Sequence, residues 1–417
     1  MNAYGIVILL ALLADYLLHT VSDVLNVNVL GGRVPDDIAT LYGEEGLDRS
    51  RDYVRVATRE AVIERSVSLV GLLLLWFFGG FGWLDSLVRQ LFDGELARGL
   101  AYFGVLALAY AALSIPFEAH RTFGIESRFG FNRTTWSTFV ADGAKGLALG
   151  AILGGALLSG VLLLFLNAGE RAWLLCWLMV VAFSLLVQWL GPAVILPLFN
   201  RFEPMPDGEL RDAIVRYAGS VRFPLQNVYL IDGSRRSTRA NAYFTGLGRR
   251  RRIALFDTLV QKHSTEEIVA VLAHEVGHYR LRHVTKGLVF GAAHAGVALF
   301  LLSLLVDRSG LHQALFVTQP SLHVGLAGFM LLYTPIETVL SVLANFMSRR
   351  HEFAADRFAV DTTSKPGSLA DALKTLSVVN LTHPNPHRFH VVLNYSHPPL
   401  VQRLRAIGER IAARGLA

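Results

Sequence analysis

A mainly α-helical, polytopic membrane protein with a small α+β module is predicted by three features of the 417 residues. They are an apolar excess, seven apolar windows of bilayer length, and one charged interval containing strand-like runs. Hydrophobic residues make up 53% and charged residues only 17%, and the mean hydropathy is +0.42. That is more apolar surface than a water-soluble chain of this size buries, so the lipid bilayer is the expected solvent. The one cysteine, Cys176, lies in an apolar run and excludes a disulfide framework or a Cys-ligated metal cluster. Any metal must therefore be held by His and carboxylate groups. The net charge of +6 comes mostly from arginines beside apolar spans, with no groove-reading motif, so nucleic acid is not an expected partner.

The windows fall at 4–22, 66–88, 99–117, 146–167, 173–199, 287–306 and 324–346, each near the roughly 20 residues that cross a hydrocarbon core as a helix. The first contains Asp15 and His19 but has neither a basic start nor a clear small-residue cleavage site, so it reads as a retained helix, not a signal peptide. In the fourth, Gly146, Gly150 and Gly154 place bare backbone on one helix face, which predicts close contact with a neighbour. The organisation expected is five spans over 1–199 with cytoplasmic loops at 23–65 and 118–145, then a cytoplasmic module at 200–286. A transmembrane hairpin at 287–346 and a cytoplasmic part at 347–417 complete it.

Orientation follows from the basic residues. Arg33, Arg49, Arg51, Arg55, Arg59, Arg65, Arg121, Arg128 and Arg133 lie on the same side as the basic regions 200–286 and 347–417. The opposite side has little beyond Arg89, Arg98, Arg171 and Arg308. Because Lys and Arg concentrate in cytoplasmic loops, the N-terminus is expected outside and the C-terminus in the cytoplasm. The preference for Arg over Lys favours a bacterial plasma membrane, with the ER membrane the expectation in a eukaryote. No internal repeat of solenoid length and no signal for a particular oligomeric state is present.

The interval 200–286 changes character, with Pro204 and Pro206 near its start and β-rich runs at 227–231 and 252–256. A helix is expected from Ser264 or Thr265, with Glu267 completing a capping box and Ile268, Val271 and Leu272 forming an apolar stripe. It carries His274-Glu275-Val-Gly-His278. The i, i+4 spacing sets both imidazoles on one face about a turn apart, the separation that holds one Zn²⁺, with Glu275 beside the attacking water as general base.

Catalytic zinc takes three protein ligands and keeps one position open. The best third ligand is Glu352, in the polar segment following the last span. Asp356 lies one turn further on the same face, where it can accept the second N–H of a ligating imidazole. Snorkelling of Arg349 and Arg350 at a membrane boundary is the blander account of that cluster. His351 is not expected to ligate, since neighbouring residues on one helix point in different directions; it is expected behind the ligands or on the surface. His283, His294, His383, His387 and His390 read as ordinary hydrogen-bonded or exposed histidines.

These residues resemble the type I CAAX prenyl protease family, seven-span integral membrane zinc endopeptidases, over nearly the whole chain. The zinc signature His274–His278 and the pattern Asn345, Ser348, Arg349, Glu352, Asp356 match its two metal segments. Matching too are 122–126, 129–135, 197–202, Ser237–Gly246, and Tyr395-Ser-His397-Pro-Pro-Leu400 followed by Arg403. One position departs, with Asn394 where members often carry His. The resemblance implies an α-barrel around an intramembrane chamber, a gluzincin-like module holding one zinc per chain at its cytoplasmic end, and cleavage near the C-terminus of prenylated CAAX peptides. It further implies that Asn241, Ala242, Tyr243 and Phe244 form an edge strand that pairs with the peptide. By the same likeness His397 stabilises the oxyanion and Arg403 binds a nearby carboxylate.

Three rival readings make different demands. A quality-control zinc protease of the heat-shock type would have four spans, not seven. A transporter or receptor with structural zinc would close the fourth coordination position and leave Glu275 idle. An intramembrane site-two-type protease would bury the motif in a span, whereas Glu266, Glu267, Arg280 and Arg282 surround it here.

Overall fold

The first apolar window lies in α1 (Ala3–Asn28), whose start is fixed by Asn2: its side-chain oxygen accepts the Gly5 N–H at 3.0 Å, satisfying a donor that the first turn leaves unpaired. The computed structural model describes residues 1–239, 242–245 and 251–415. Helix α2 (Asp36–Phe77) runs through 36–65 and on into the second window, interrupted at Gly43. At Gly79, with φ +72°, the chain takes a left-handed turn that glycine adopts at no steric cost, and α3 (Gly80–Leu91) leaves α2 at 64°. The window 66–88 thus covers two helices joined at a sharp bend; hydropathy registered its length and not its bend.

Helix α4 (Glu95–Ala119) continues as π-helix to Glu126. A π-helical turn at Gly150–Gly154 joins α5 (Trp136–Leu149) to α6 (Gly155–Asn167). Another at Gly191–Ile195, where Pro192 lacks the N–H for an α-helical bond, joins α7 (Ala172–Leu190) to α8 (Leu196–Phe199). The contact expected at Gly146, Gly150 and Gly154 is absent among the described residues, because a Cβ built on any of them meets no atom within 4 Å. Small residues permit a close neighbour without supplying one.

The module begins with β1 (Phe202–Pro204), α9 (Glu209–Ser220) and β2 (Leu225–Ile231). It continues through β3 (Ala242–Thr245), β4 (Arg251–Phe256), α10 (Asp257–Lys262) and α11 (Thr265–Arg280). The sheet order is β1-β2-β4-β3, with β2 and β4 parallel and the outer pairs antiparallel, so β3 is an edge. The chain then forms α12 (His283–Leu305), α13 (Ser309–Ala314) and α14 (Leu322–Thr362), followed by α15 (Ser368–Val379), α16 (Arg388–Asn394) and α17 (Leu400–Ala413). Among the described residues six helices, counting joined runs, are long and apolar enough to cross a bilayer, or seven with the bent α2–α3 pair. Between them lies a cavity of about 800 Å³ lined by residues including Leu12, Asp15, Tyr16, Arg65, Leu106 and Met330.

One apolar core unites the module with the chain's end: Ile214, Val228, Ile253, Leu255, Ile268, Leu272 and Val276 pack with Ala359, Val360, Leu369 and Ile407. A second core, with Trp76, Phe81, Tyr102, Leu311 and Val324, holds the far end of the spans together. There the buried Asp85 carboxylate accepts from His323 at 2.8 Å, Ser321 at 3.2 Å and Arg89 at 2.9 Å. At 41 residues, α14 is about 60 Å long, twice the hydrocarbon core, so its last turns extend beyond the bilayer.

Gly325 lets α14 pass the end of α12: a Cβ there would sit 2.2 Å from the Val306 carbonyl oxygen. Overpacking costs about 1–3 kcal/mol and helix propensity returns roughly 1 kcal/mol, so Gly325→Ala is expected to destabilise the fold by up to about 2 kcal/mol. The thermal midpoint in detergent should fall; an unchanged midpoint would show that the helices separate freely there.

Candidate metal centre

Helix α11 starts where the capping box requires. Ser264 Oγ accepts the Glu267 N–H at 3.3 Å and Glu267 Oε2 accepts the Ser264 N–H at 2.9 Å. From that start Ile268 and Leu272 fall into the core, and the face one turn on presents His274 and His278 to α14. The two helices touch almost backbone to backbone, since a Cβ on Gly277 would lie 3.1 Å from the Ala355 Cα. That approach sets the distances of the site.

Three side chains converge there, with ligand atoms of His274, His278 and Glu352 all within 4.8 Å of one another. The two Nε2 atoms are 3.0 Å apart, and Glu352 Oε2 and Oε1 lie 3.4 Å and 3.2 Å from His274 Nε2 and His278 Nε2. At this distance the two nitrogens either share a proton or hold a cation between them. Glu352 Oε2 is also buried with no hydrogen-bond partner, which a metal ion would satisfy. A His₂Glu donor set fits a divalent transition metal of the zinc type.

Asp356 stands behind His274, its Oδ1 2.8 Å from Nδ1. Arg403, from α17, grips the same carboxylate with both arms, at 2.6 Å and 2.9 Å, and lies 3.6 Å from Glu352. Burial pulls the His274 imidazole toward neutrality, but the adjoining Asp356 and Glu352 carboxylates outweigh it and raise its pKa to about 9 when no cation is present. Burial likewise opposes the charge on Arg403, and the Asp356 carboxylate more than restores it. Glu275 shares a cavity of about 410 Å³ with His274, His278, His397 and Arg403, and burial pushes its carboxyl up from the ordinary carboxylate range.

His397 enters from the turn between α16 and α17. Its side chain is 66% exposed, with Nε2 3.5 Å from Glu352 Oε1. Two residues of α14 hold that turn. Asn345 Nδ2 donates to the Leu393 carbonyl at 2.9 Å, and Arg349 Nη1 donates to the Val391 and Tyr395 carbonyls at 3.1 Å and 2.5 Å. Arg349 is therefore a clamp, whereas Arg350 packs over the Phe346 ring at 5.8 Å. Asn394 donates to Ser22 Oγ at 3.0 Å, tying the same turn to α1.

His283, read as an ordinary histidine in sequence, lies against the site with its Nδ1 2.9 Å from His278 Nδ1, and His351 stacks on it with centroids 4.0 Å apart.

The edge strand β3 pairs Ala242 with Leu255, Tyr243 with Ala254 and Phe244 with Ile253, and among the described residues no strand pairs with its outer side; Asn241 lies outside the described residues. The segment entering β3 is anchored to the membrane region. Arg236 makes a two-armed bond to Asp142 at 2.8 Å and 3.1 Å, the Thr238 N–H donates to the Phe131 carbonyl at 3.0 Å, and Arg239 binds Glu126 at 2.9 Å together with the Tyr53 hydroxyl.

Residues 25–201 match the family described as CAAX prenyl protease N-terminal, five membrane helices, and residues 204–411 match peptidase family M48. The chain is 33% identical to CAAX prenyl protease 1 homolog of Arabidopsis thaliana, covering 90% of each chain. It is 31% identical to CAAX prenyl protease 1 of Saccharomyces cerevisiae, covering 90% of this chain and 88% of the other. Its fold is similar to the crystal structure of S. mikatae Ste24p, with a TM-score of 0.92, 28% identity and coverage of 98% and 99%.

Proposed function

The chain belongs to peptidase family M48, in the branch with the CAAX prenyl protease N-terminal region, and from that premise we propose that it cleaves prenylated CAAX-type substrates near their C-termini with one zinc ion per chain. It is a multi-pass membrane metalloendopeptidase. The observation that carries the proposal is the convergence of His274, His278 and Glu352, from two helices remote in sequence, with Glu275 in the same cavity. The basic-residue asymmetry supports an outer N-terminus and a cytoplasmic metal site.

Zinc bound there supplies Lewis-acid chemistry, making a water molecule acidic near neutral pH and polarising the scissile carbonyl. Glu275 takes the proton of the attacking water and passes it to the leaving amine, and the rise in its pKa with burial suits both tasks. His397, exposed beside Glu352, donates to the developing oxyanion. Arg403 acts through Asp356, fixing the carboxylate that orients His274, and is thereby a positioning residue. The outer side of β3, at Ala242, Tyr243 and Phe244, receives the peptide as an added strand, which reads backbone and admits varied side chains.

The bridge from Arg403 through Asp356 to His274 gives its own expectation. Asp356→Asn should weaken metal binding by about 10–100-fold, the usual cost of removing a carboxylate behind a ligating imidazole, measured by chelator competition. Unchanged affinity would remove Asp356 from the account.

Substrate class is tested by incubating detergent-purified protein with farnesylated and unmodified CAAX peptides, with and without a chelator. Chelator-sensitive cleavage of the farnesylated peptide is expected. Cleavage of both at equal rates would keep the protease and discard prenyl selectivity, and chelator-resistant cleavage would contradict the metal mechanism.

A further inference from the structure

The two ligating imidazoles are held differently. His274 Nδ1 lies 2.8 Å from the Asp356 carboxylate, whereas His278 Nδ1 lies 2.9 Å from another imidazole, at Nδ1 of His283. We propose that His283 is a positioning residue whose neutral ring accepts the His278 Nδ1–H, fixing the tautomer and ring plane that aim the His278 Nε2 lone pair at the cation. This role rests on the metal site proposed above.

The proton inventory sets the direction of the bond. His278 Nε2 is turned toward Glu352 Oε1 at 3.2 Å and His274 Nε2 at 3.0 Å, so its lone pair serves the cation only if the ring carries its proton on Nδ1. Two nitrogens 2.9 Å apart share one hydrogen. His283 Nδ1 therefore accepts, and the His283 proton resides on Nε2.

The backbone is bent to make this contact. On an unbroken helix a residue five positions on lies about 140° around the axis and faces away. Here α11 ends at Arg280, and Arg282 adopts a left-handed conformation, φ +56° and ψ +35°. A non-glycine residue held there stores strain of the kind that surrounding structure must over-determine. The turn returns His283 toward His278 as the first residue of α12.

Packing completes the arrangement. His283 is only 6% exposed, and the His351 ring lies on it at 4.0 Å with an interplanar angle of 11°. Because His351 precedes Glu352, the helix that carries the third ligand also clamps the ring supporting the second. The charge on Asp356 is matched by Arg403, and a second buried carboxylate behind His278 would need a cation of its own. A neutral imidazole provides the acceptor without that charge.

Two substitutions separate acceptor from packing. His283→Phe keeps the ring and its stack on His351 but removes the acceptor. His283→Asn loses the ring but sets Oδ1 where Nδ1 stood. The zinc dissociation constant of the purified full chain, read by competition with a chelating dye, is expected to weaken by about 10–100-fold in His283→Phe and to return most of the way in His283→Asn. Wild-type affinity in His283→Phe, or equal losses in both variants, would overturn the positioning role. A wild-type chain that takes up no zinc would instead sink the metal site itself, and the role with it.

Discussion

Glu275→Gln is expected to retain its metal and lose cleavage by at least about 10²-fold, and as much as about 10⁴-fold, or roughly 3–5 kcal/mol of transition-state stabilisation. The amide has the size of the carboxylate and cannot take a proton from water. Metal content should not change, because the converging ligand atoms are those of His274, His278 and Glu352. Substrate affinity should hold for the same reason, so the deficit belongs in kcat. Retained cleavage would remove Glu275 as the base; loss of metal along with activity would instead make it a ligand.

Glu352→Ala is expected to do the opposite and empty the site. The carboxylate lies 3.4 Å and 3.2 Å from the two imidazole nitrogens, and without it two histidines remain where catalytic zinc requires three protein ligands. Metal measured by elemental analysis should fall from about one per chain to a small fraction, and cleavage should disappear with it. His274→Ala should behave alike. The pair of results, activity lost with metal kept in Glu275→Gln and both lost in Glu352→Ala, distinguishes base from ligand in one preparation scheme. Full metal occupancy in Glu352→Ala would remove that residue from the coordination shell.

Much of this was legible in the sequence because it depends on local periodicity. The capping box at Ser264 and Glu267 fixed the helical phase of His274 and His278 before any tertiary contact was known, and Glu352 and Asp356 share a face by the same arithmetic. Other features depend on partners distant in the chain. The Gly146, Gly150, Gly154 spacing promised a neighbour, and none approaches. The bend at Gly79 looks in hydropathy like any other span interior.

For Arg349 local sequence offers only snorkelling as a bland alternative, and its clamp is not legible there because the carbonyls it holds, those of Val391 and Tyr395, lie more than 40 residues away. His283 was hidden for a different reason. Helical phase places it on the wrong face of α11, and only the left-handed turn at Arg282, where no glycine announces it, brings it to the ligand.

The central claim is that one cation is held by two imidazoles and one carboxylate. The most direct measurement is zinc K-edge X-ray absorption on the purified full chain, quantified against elemental analysis. The expected result is about one zinc per chain with a shell of nitrogen and oxygen neighbours at about 2.0–2.2 Å. Far less than one zinc per chain, or a sulfur neighbour at about 2.3 Å, which would require Cys176 buried in α7, would contradict it.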